Sequence, residues 1–102
     1  MPSPGNGAQH YQIHYSKAVG NFLRGLQRKA AREGRGDAFA LALRRIAVAL
    51  QKSPMKAGEP LYRLSAMRLQ VRTIVIAPLA IDFAVSEDLP HVYIKSGRLL
   101  SR

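Results

Sequence analysis

Hydrophobic residues change their period once along this chain, from helical spacing before Gly58 to alternation after it. At about 100° per residue, Val19, Phe22, Leu23, Leu26 and Ala30 fall on one side of a helix that reads as Ser16 to Arg32. Ser16 has the chemistry of an N-cap, because its hydroxyl can accept from an orphaned amide of the first turn. The Gly34-Arg35-Gly36 break ends that helix. Asp37 suits the cap of a second helix, Asp37 to Lys52, along which Phe39, Leu43, Ile46 and Leu50 recur. Ser53-Pro54 stops it, since the residue before a proline is pushed out of the helical region. Upstream, Tyr11, Ile13 and Tyr15 alternate with Gln12 and His14, the period of a half-buried strand. Met1 to Gln9, rich in Pro, Gly and Asn, is expected to be a disordered lead-in to a single domain over residues 10–102.

Four further segments read as strands: Leu61 to Leu64, Met67 to Ile76, Leu79 to Val85 and His91 to Ser96. Pro78 and the run Ser86-Glu87-Asp88-Leu89-Pro90 separate them, which makes consecutive antiparallel strands the simplest arrangement. The expected fold class is therefore α+β, in the order β-α-α-β-β-β(-β), with a helical hairpin on one face of a mainly antiparallel sheet. Alternation sets Met67, Leu69 and Val71 against Arg68, Gln70 and Arg72, and Leu79, Ile81, Phe83 and Val85 against Ala80, Asp82 and Ala84. With the helices on the apolar set, Val92 and Ile94 join the core. His91, Tyr93 and Lys95 then share the open face with the arginines, provided the strands pair in that register.

Charge changes this picture. The chain carries +10, and +8 of it lies between Lys17 and Lys56, where only Glu33 and Asp37 are acidic. Lys17, Arg24, Arg28, Arg32 and Arg35 centre on the helix face opposite the apolar one. A solvated face usually mixes signs, yet Arg24, Arg28 and Arg32 stack at the repelling spacing of four with no acid between them. That points to a polyanion or an acidic partner. On the second helix Leu41 and Val48, flanked by Arg44 and Arg45, stand away from the main stripe. They suit either packing against the first helix or a groove for a partner with apolar anchors and acidic flanks.

At 102 residues and 47% hydrophobic, the chain supports one modest core. Cysteine is absent, which excludes disulfides and thiolate chemistry and fits a reducing cytoplasm. His10, His14 and His91 have no metal-site spacing, so neither a metal nor another cofactor is expected, and His10 and His14 read as surface residues. No stretch approaches the roughly 20 apolar residues of a membrane span. No membrane role is expected, and the start lacks the apolar region of a signal peptide.

The order of elements resembles the RelE/ParE superfamily of type II toxin–antitoxin toxins over about residues 10–100. The carriers are Tyr11-Gln-Ile-His-Tyr-Ser-Lys-Ala with Phe22-Leu23 and Leu26, then Pro60-Leu61-Tyr62-Arg63-Leu64, Leu79-Ala-Ile-Asp-Phe-Ala-Val85 and Val92-Tyr-Ile-Lys95. The resemblance implies a RelE-like, ribosome-dependent, metal-independent mRNA endonuclease that inhibits translation by using a ribose 2′-hydroxyl as nucleophile. The alternatives are a ParE-like inhibitor of DNA gyrase and a noncatalytic nucleic-acid or protein binding module derived from this fold. It implies a cognate acidic antitoxin as partner.

Within that resemblance Arg63, Arg72 and Lys95 are the candidate catalytic cations, and Tyr93 is a candidate platform for a base. Arg68 and Arg98 join Lys17, Arg24, Arg28, Arg32 and Arg35 as candidate nucleic-acid contacts. Leu41, Arg44, Arg45 and Val48 are candidate partner contacts. Many RelE-like nucleases carry a Tyr or His near the C-terminus, whereas this chain ends Gly97-Arg-Leu-Leu-Ser-Arg102. Tyr93 and His91 are the nearest substitutes, though His91, after Pro90 at a strand edge, equally suits plain exposure, and Asp82 is expected to pair with an arginine.

Overall fold

In the computed structural model, residues 10–101 are described, and the expected lead-in over residues 1–9 lies outside them. Ser16 caps the first helix: its Oγ accepts from the Val19 amide at 3.1 Å, and α1 runs Lys17–Arg32. Past Arg32 the amides of Glu33, Gly34 and Arg35 turn back onto carbonyls of the last helical turn. Gly34 makes that reversal at φ +76°, where a side chain would be strained. The second helix, α2, then begins one residue earlier than expected and spans Gly36–Lys52. Arg35 holds its cap position, so Asp37 is not the cap. Its carboxylate instead lies in the first turn, beside the positive end of the helix dipole.

Five strands, β1 (Gln12–His14), β2 (Glu59–Leu64), β3 (Leu69–Ile76), β4 (Leu79–Ser86) and β5 (His91–Leu99), form one sheet in the order β1-β5-β4-β3-β2. β1 runs parallel to β5 and every other pair is antiparallel. The edge strand β1 is fixed from two sides, because Tyr11 N–H donates to Gln51 O at 2.9 Å and Gln12 N–H to Pro90 O at 2.8 Å. Both helices cover one face of the sheet. Phe39, Ala42, Ile46 and Leu50 of α2 meet Ile74, Leu79, Ile81, Phe83, Val85 and Val92 in the core. Each large side chain buried there contributes about 1.5–3 kcal/mol. The result is the expected α+β class, with the hairpin on a mostly antiparallel sheet.

The faces of β3 differ from the alternation expected of them. A loop of only Ala77 and Pro78 joins β3 to β4, so Ile76 pairs with Leu79 and each even position of β3 stands beside an odd position of β4. Gln70, Arg72 and Ile74 therefore share the helix-covered face with Val85, Phe83 and Ile81, while Val71, Thr73 and Val75 turn to the open face. Arg72 is only 8% exposed. Its guanidinium donates from Nε to Ala57 O at 2.9 Å and from Nη2 to Gly58 O at 3.2 Å. Gly58 itself is required here: at φ +63° a Cβ would come within 1.9 Å of Thr73 O.

Two other expectations about packing are corrected. Met67 is not in a strand; it belongs to a single 3-10 turn, Ser65–Met67, closed by Arg68 in the left-handed region at φ +52°, and is 65% exposed. Phe22, assigned to the inward stripe of α1, is 52% exposed, whereas Leu23 and Leu26 pack on the core. Leu41 and Val48, with packing or exposure both open, are exposed. Among the described residues no helix is long and apolar enough to cross a membrane.

Candidate functional site

The parallel β1–β5 pair aligns Gln12 with His91 and His14 with Tyr93. Val92 is buried in the core beneath the helices, so its neighbours His91 and Tyr93 point to the open face, and His14 joins them from β1. Three rings consequently cluster there. His14 Nε2 lies 2.9 Å from His91 Nδ1, a hydrogen bond between side chains 77 residues apart. The His14 ring stacks on Tyr93 with centroids 5.2 Å apart and planes 24° apart, and His91 lies within 6.3 Å of the same tyrosine. Both histidines are half-buried, and Tyr93 is 39% exposed.

Beside this cluster the β4–β5 ladder has a bulge. Phe83 pairs with Ile94 while Asp82 pairs with Ser96, leaving Lys95 as the extra residue. Lys95 is exposed, and no ion pair among the described residues includes it. With Tyr93 it borders a depression of about 510 Å³, whose other walls include Leu64, Met67, Leu69, Ala84 and Leu89. An aromatic ring, an apolar floor and a free ammonium are what a stacked base and its phosphate require. Arg98 is exposed farther along the same face, opposite Ala80.

The other candidate arginines do not join this patch. Arg72 faces the helices and binds two backbone carbonyls, as above. Arg63 sits on β2, three strands from β5 and so about 14 Å away at the usual strand spacing. It pairs with Gln70 on the Arg72 side, and grips Glu87 through Nε at 2.5 Å and Nη2 at 2.7 Å. That grip, above all the hydrogen bond from Arg63, pulls the Glu87 carboxyl down to about 2. The hydrogen bond and charge of Glu87 raise Arg63 in turn, and the Asp88 hydrogen bond, at 2.7 Å, does the same for Arg68.

Arg35 is not an outward cation: half-buried, it donates from Nη1 to Leu100 O at 2.8 Å and pairs with Glu33. Asp82 has Ser96 Oγ at 3.5 Å rather than an arginine partner. His91, with exposure and a chemical role both open, is bonded to His14, and both rings are half-buried at the surface of the sheet.

On the helix side Lys17, Arg24, Arg28, Arg32, Arg44 and Arg45 are all exposed, and no ion pair among the described residues involves them. An apolar groove of about 330 Å³ opens between the helices, walled by Ile13, Leu23, Leu43, Ile46 and Ile94, with Tyr15 and Arg24 also lining it.

Compared with protein-family models, curated proteins and solved structures, the chain matches none. The site's histidines therefore rest on geometry alone. The His14–His91 contact could not be read from the sequence, because it depends on β1 lying beside the most distant strand in the chain, which no local spacing encodes. The alternation of His14 with Tyr11 and Ile13 did give its outward direction.

Proposed function

We propose that this chain is a RelE-like toxin that cuts RNA on the open face of its sheet. The observation that carries this reading is the cluster of His14, His91 and Tyr93, whose tyrosine also lines the depression that the unpaired Lys95 borders. Tyr93 stacks a base next to the scissile phosphate, and Lys95 neutralises charge that builds up on the phosphorane. The histidine pair handles protons without a metal: the ribose 2′-hydroxyl loses its proton, its oxygen bonds to phosphorus, and the bond to O5′ breaks as that oxygen is protonated. The products are a 2′,3′-cyclic phosphate and a 5′-hydroxyl. The ribosome is the expected setting, with the exposed helix arginines docking on its RNA. This reading requires the cytoplasm, and a chain without cysteine suits its reducing conditions. The antitoxin is an acidic segment that lays apolar anchors in the groove between α1 and α2, where Arg24 and the neighbouring arginines lack carboxylates of their own.

A second reading is favoured by the fate of Arg63 and Arg72. Both are occupied by the protein itself, which leaves few cations at the cluster and suits a noncatalytic RNA-binding module. Induced expression with transcript mapping separates these readings. Transcripts cut to 5′-hydroxyl ends, with the cuts lost in Tyr93→Ala and Lys95→Ala proteins that remain folded, are the expected result. Intact transcripts with growth unaffected favour the binding module, and intact transcripts with broken chromosomes favour a gyrase inhibitor.

A further inference from the structure

We propose that His14 and His91 act as one proton relay, the acid–base unit of the RNA cleavage proposed above, on which this assignment rests. Two facing ring nitrogens at 2.9 Å must share a single proton, one donating and the other accepting. That fixes the outer nitrogens. When His14 Nε2 carries the shared proton, His14 Nδ1 is a bare lone pair, and His91, accepting at Nδ1, holds its own proton on Nε2. In the reverse arrangement His91 Nδ1 donates, so His91 Nε2 is bare and His14 Nδ1 is protonated. Either way the neutral pair presents one nitrogen that accepts a proton and another that gives one.

This is the requirement of 2′-hydroxyl attack. The 2′-hydroxyl proton passes to His14 Nδ1 as the oxygen bonds to phosphorus, and the shared proton crosses from His14 Nε2 to His91 Nδ1. The proton on His91 Nε2 then goes to O5′ as the P–O5′ bond breaks. No net proton is gained or lost, and the pair finishes in the reverse arrangement, still neutral. Three features of the site favour this role over a bond that merely ties β1 to β5. Neither ring has a second hydrogen-bond partner among the described residues, so both outer nitrogens are free. Tyr93 is stacked on His14, which fixes the plane of that ring. No carboxylate of the described residues is bonded to either ring, so nothing locks the pair in one arrangement.

The test uses the full chain and an end-labelled oligoribonucleotide, presented both alone and on ribosomes. It compares the wild type with His14→Gln, His91→Asn and the double variant. Gln and Asn keep an amide where the facing nitrogen was but cannot pass a proton. A relay predicts that each single variant loses cleavage by about a hundredfold or more, and that the double variant is no slower than the worse single one. Multiplying losses would mean two independent groups, and cleavage retained in His14→Gln would mean a structural bond; either overturns the relay while the RNA-cleaving reading stands. A wild type that leaves both substrates intact overturns that reading and the relay with it. Nitrogen-15 NMR of the unsubstituted protein gives a second check that does not depend on variants folding. Both rings should be protonated on Nε2 together, or on Nδ1 together, or exchange between the two. His14 protonated on Nδ1 with His91 protonated on Nε2 leaves no proton between the rings and sinks the relay.

Discussion

On the outer surface of α1 and α2 the cations stand free of carboxylates, whereas across the sheet the fold consumes most of them. Arg24, Arg28, Arg32, Arg44 and Arg45 are exposed and outside every ion pair of the described residues. Arg63 and Arg68 are matched to Glu87 and Asp88, and Arg72 is buried on the carbonyls of Ala57 and Gly58. The helix surface is rich in cations, and Asp37 in the first turn of α2 is its exposed carboxylate. The open face has few free cations, yet it holds two bonded histidines and a stacked tyrosine. Under the proposed function, charge density marks the docking surface for a polyanion, and the ring cluster marks the surface for chemistry on it.

The two faces of the sheet differ most in what they contribute to stability. Phe83, wholly buried beneath the helices, should cost about 3–5 kcal/mol when replaced by Ala. Tyr93, one strand away on the other face, should cost about 1 kcal/mol or less. Urea unfolding of the two variants measures the contrast, and near-equal losses would show that the open face is also a packed core, leaving no room there for RNA.

Arg72 and Lys95 divide the same way, with a smaller effect. Arg72→Ala leaves two carbonyls without their donor and should destabilise by about 1–3 kcal/mol. Lys95→Ala touches no partner and should stay within about 0.5 kcal/mol of the wild type, while weakening RNA cleavage. An Arg72→Ala protein of full stability and no cleavage would reverse the assignment of faces.

That assignment is also where the sequence was hardest to read. The helices were legible from their period, the Ser16 cap and the two breaks, because those signals act within a few residues. The strands were legible as strands. Their faces were not, since the arginines of Met67 to Ile76 look outward by polarity alone. The correcting clue was nonetheless in the chain: a loop of Ala77 and Pro78 pairs even positions with odd ones and turns Arg72 toward the helices. A buried guanidinium is tolerated there because Gly58 lets the backbone come close enough to offer its carbonyls. Alternation placed Tyr93 and Lys95 on one face, and both border the same depression. The His14–His91 contact was beyond reach, because the parallel pairing of the first strand with the last is a tertiary event.

The Arg63–Glu87 grip gives a pH test of how far the sheet uses its own cations. Glu87 is held down to about 2 by Arg63, below its ordinary value near 4.5. A depressed carboxylate stabilises the fold fully above its unfolded-state value, and that contribution is lost as pH falls toward the folded one. The stability difference between the wild type and Glu87→Gln should hold at neutral pH and shrink between about pH 4.5 and 2. A difference that does not change through that window would mean that Arg63 is free, and would return it to the list of phosphate-binding groups.

The smallest effect on the fold and the clearest on docking belongs to the helix surface. Arg24, Arg28 and Arg32 repel one another along one face of α1, and alanine is the best helix former. Replacing all three with Ala should therefore leave stability unchanged or raise it by a few tenths of a kcal/mol. Affinity for single-stranded RNA should move differently. Each phosphate neutralised contributes about −0.7 to the slope of log affinity against log salt, so losing three contacts should flatten that slope by about 2, against about 0.7 for Lys95→Ala. Equal slopes in the triple variant and the wild type would mean that RNA does not reach the helices, and would leave the free arginines to the proposed acidic partner alone.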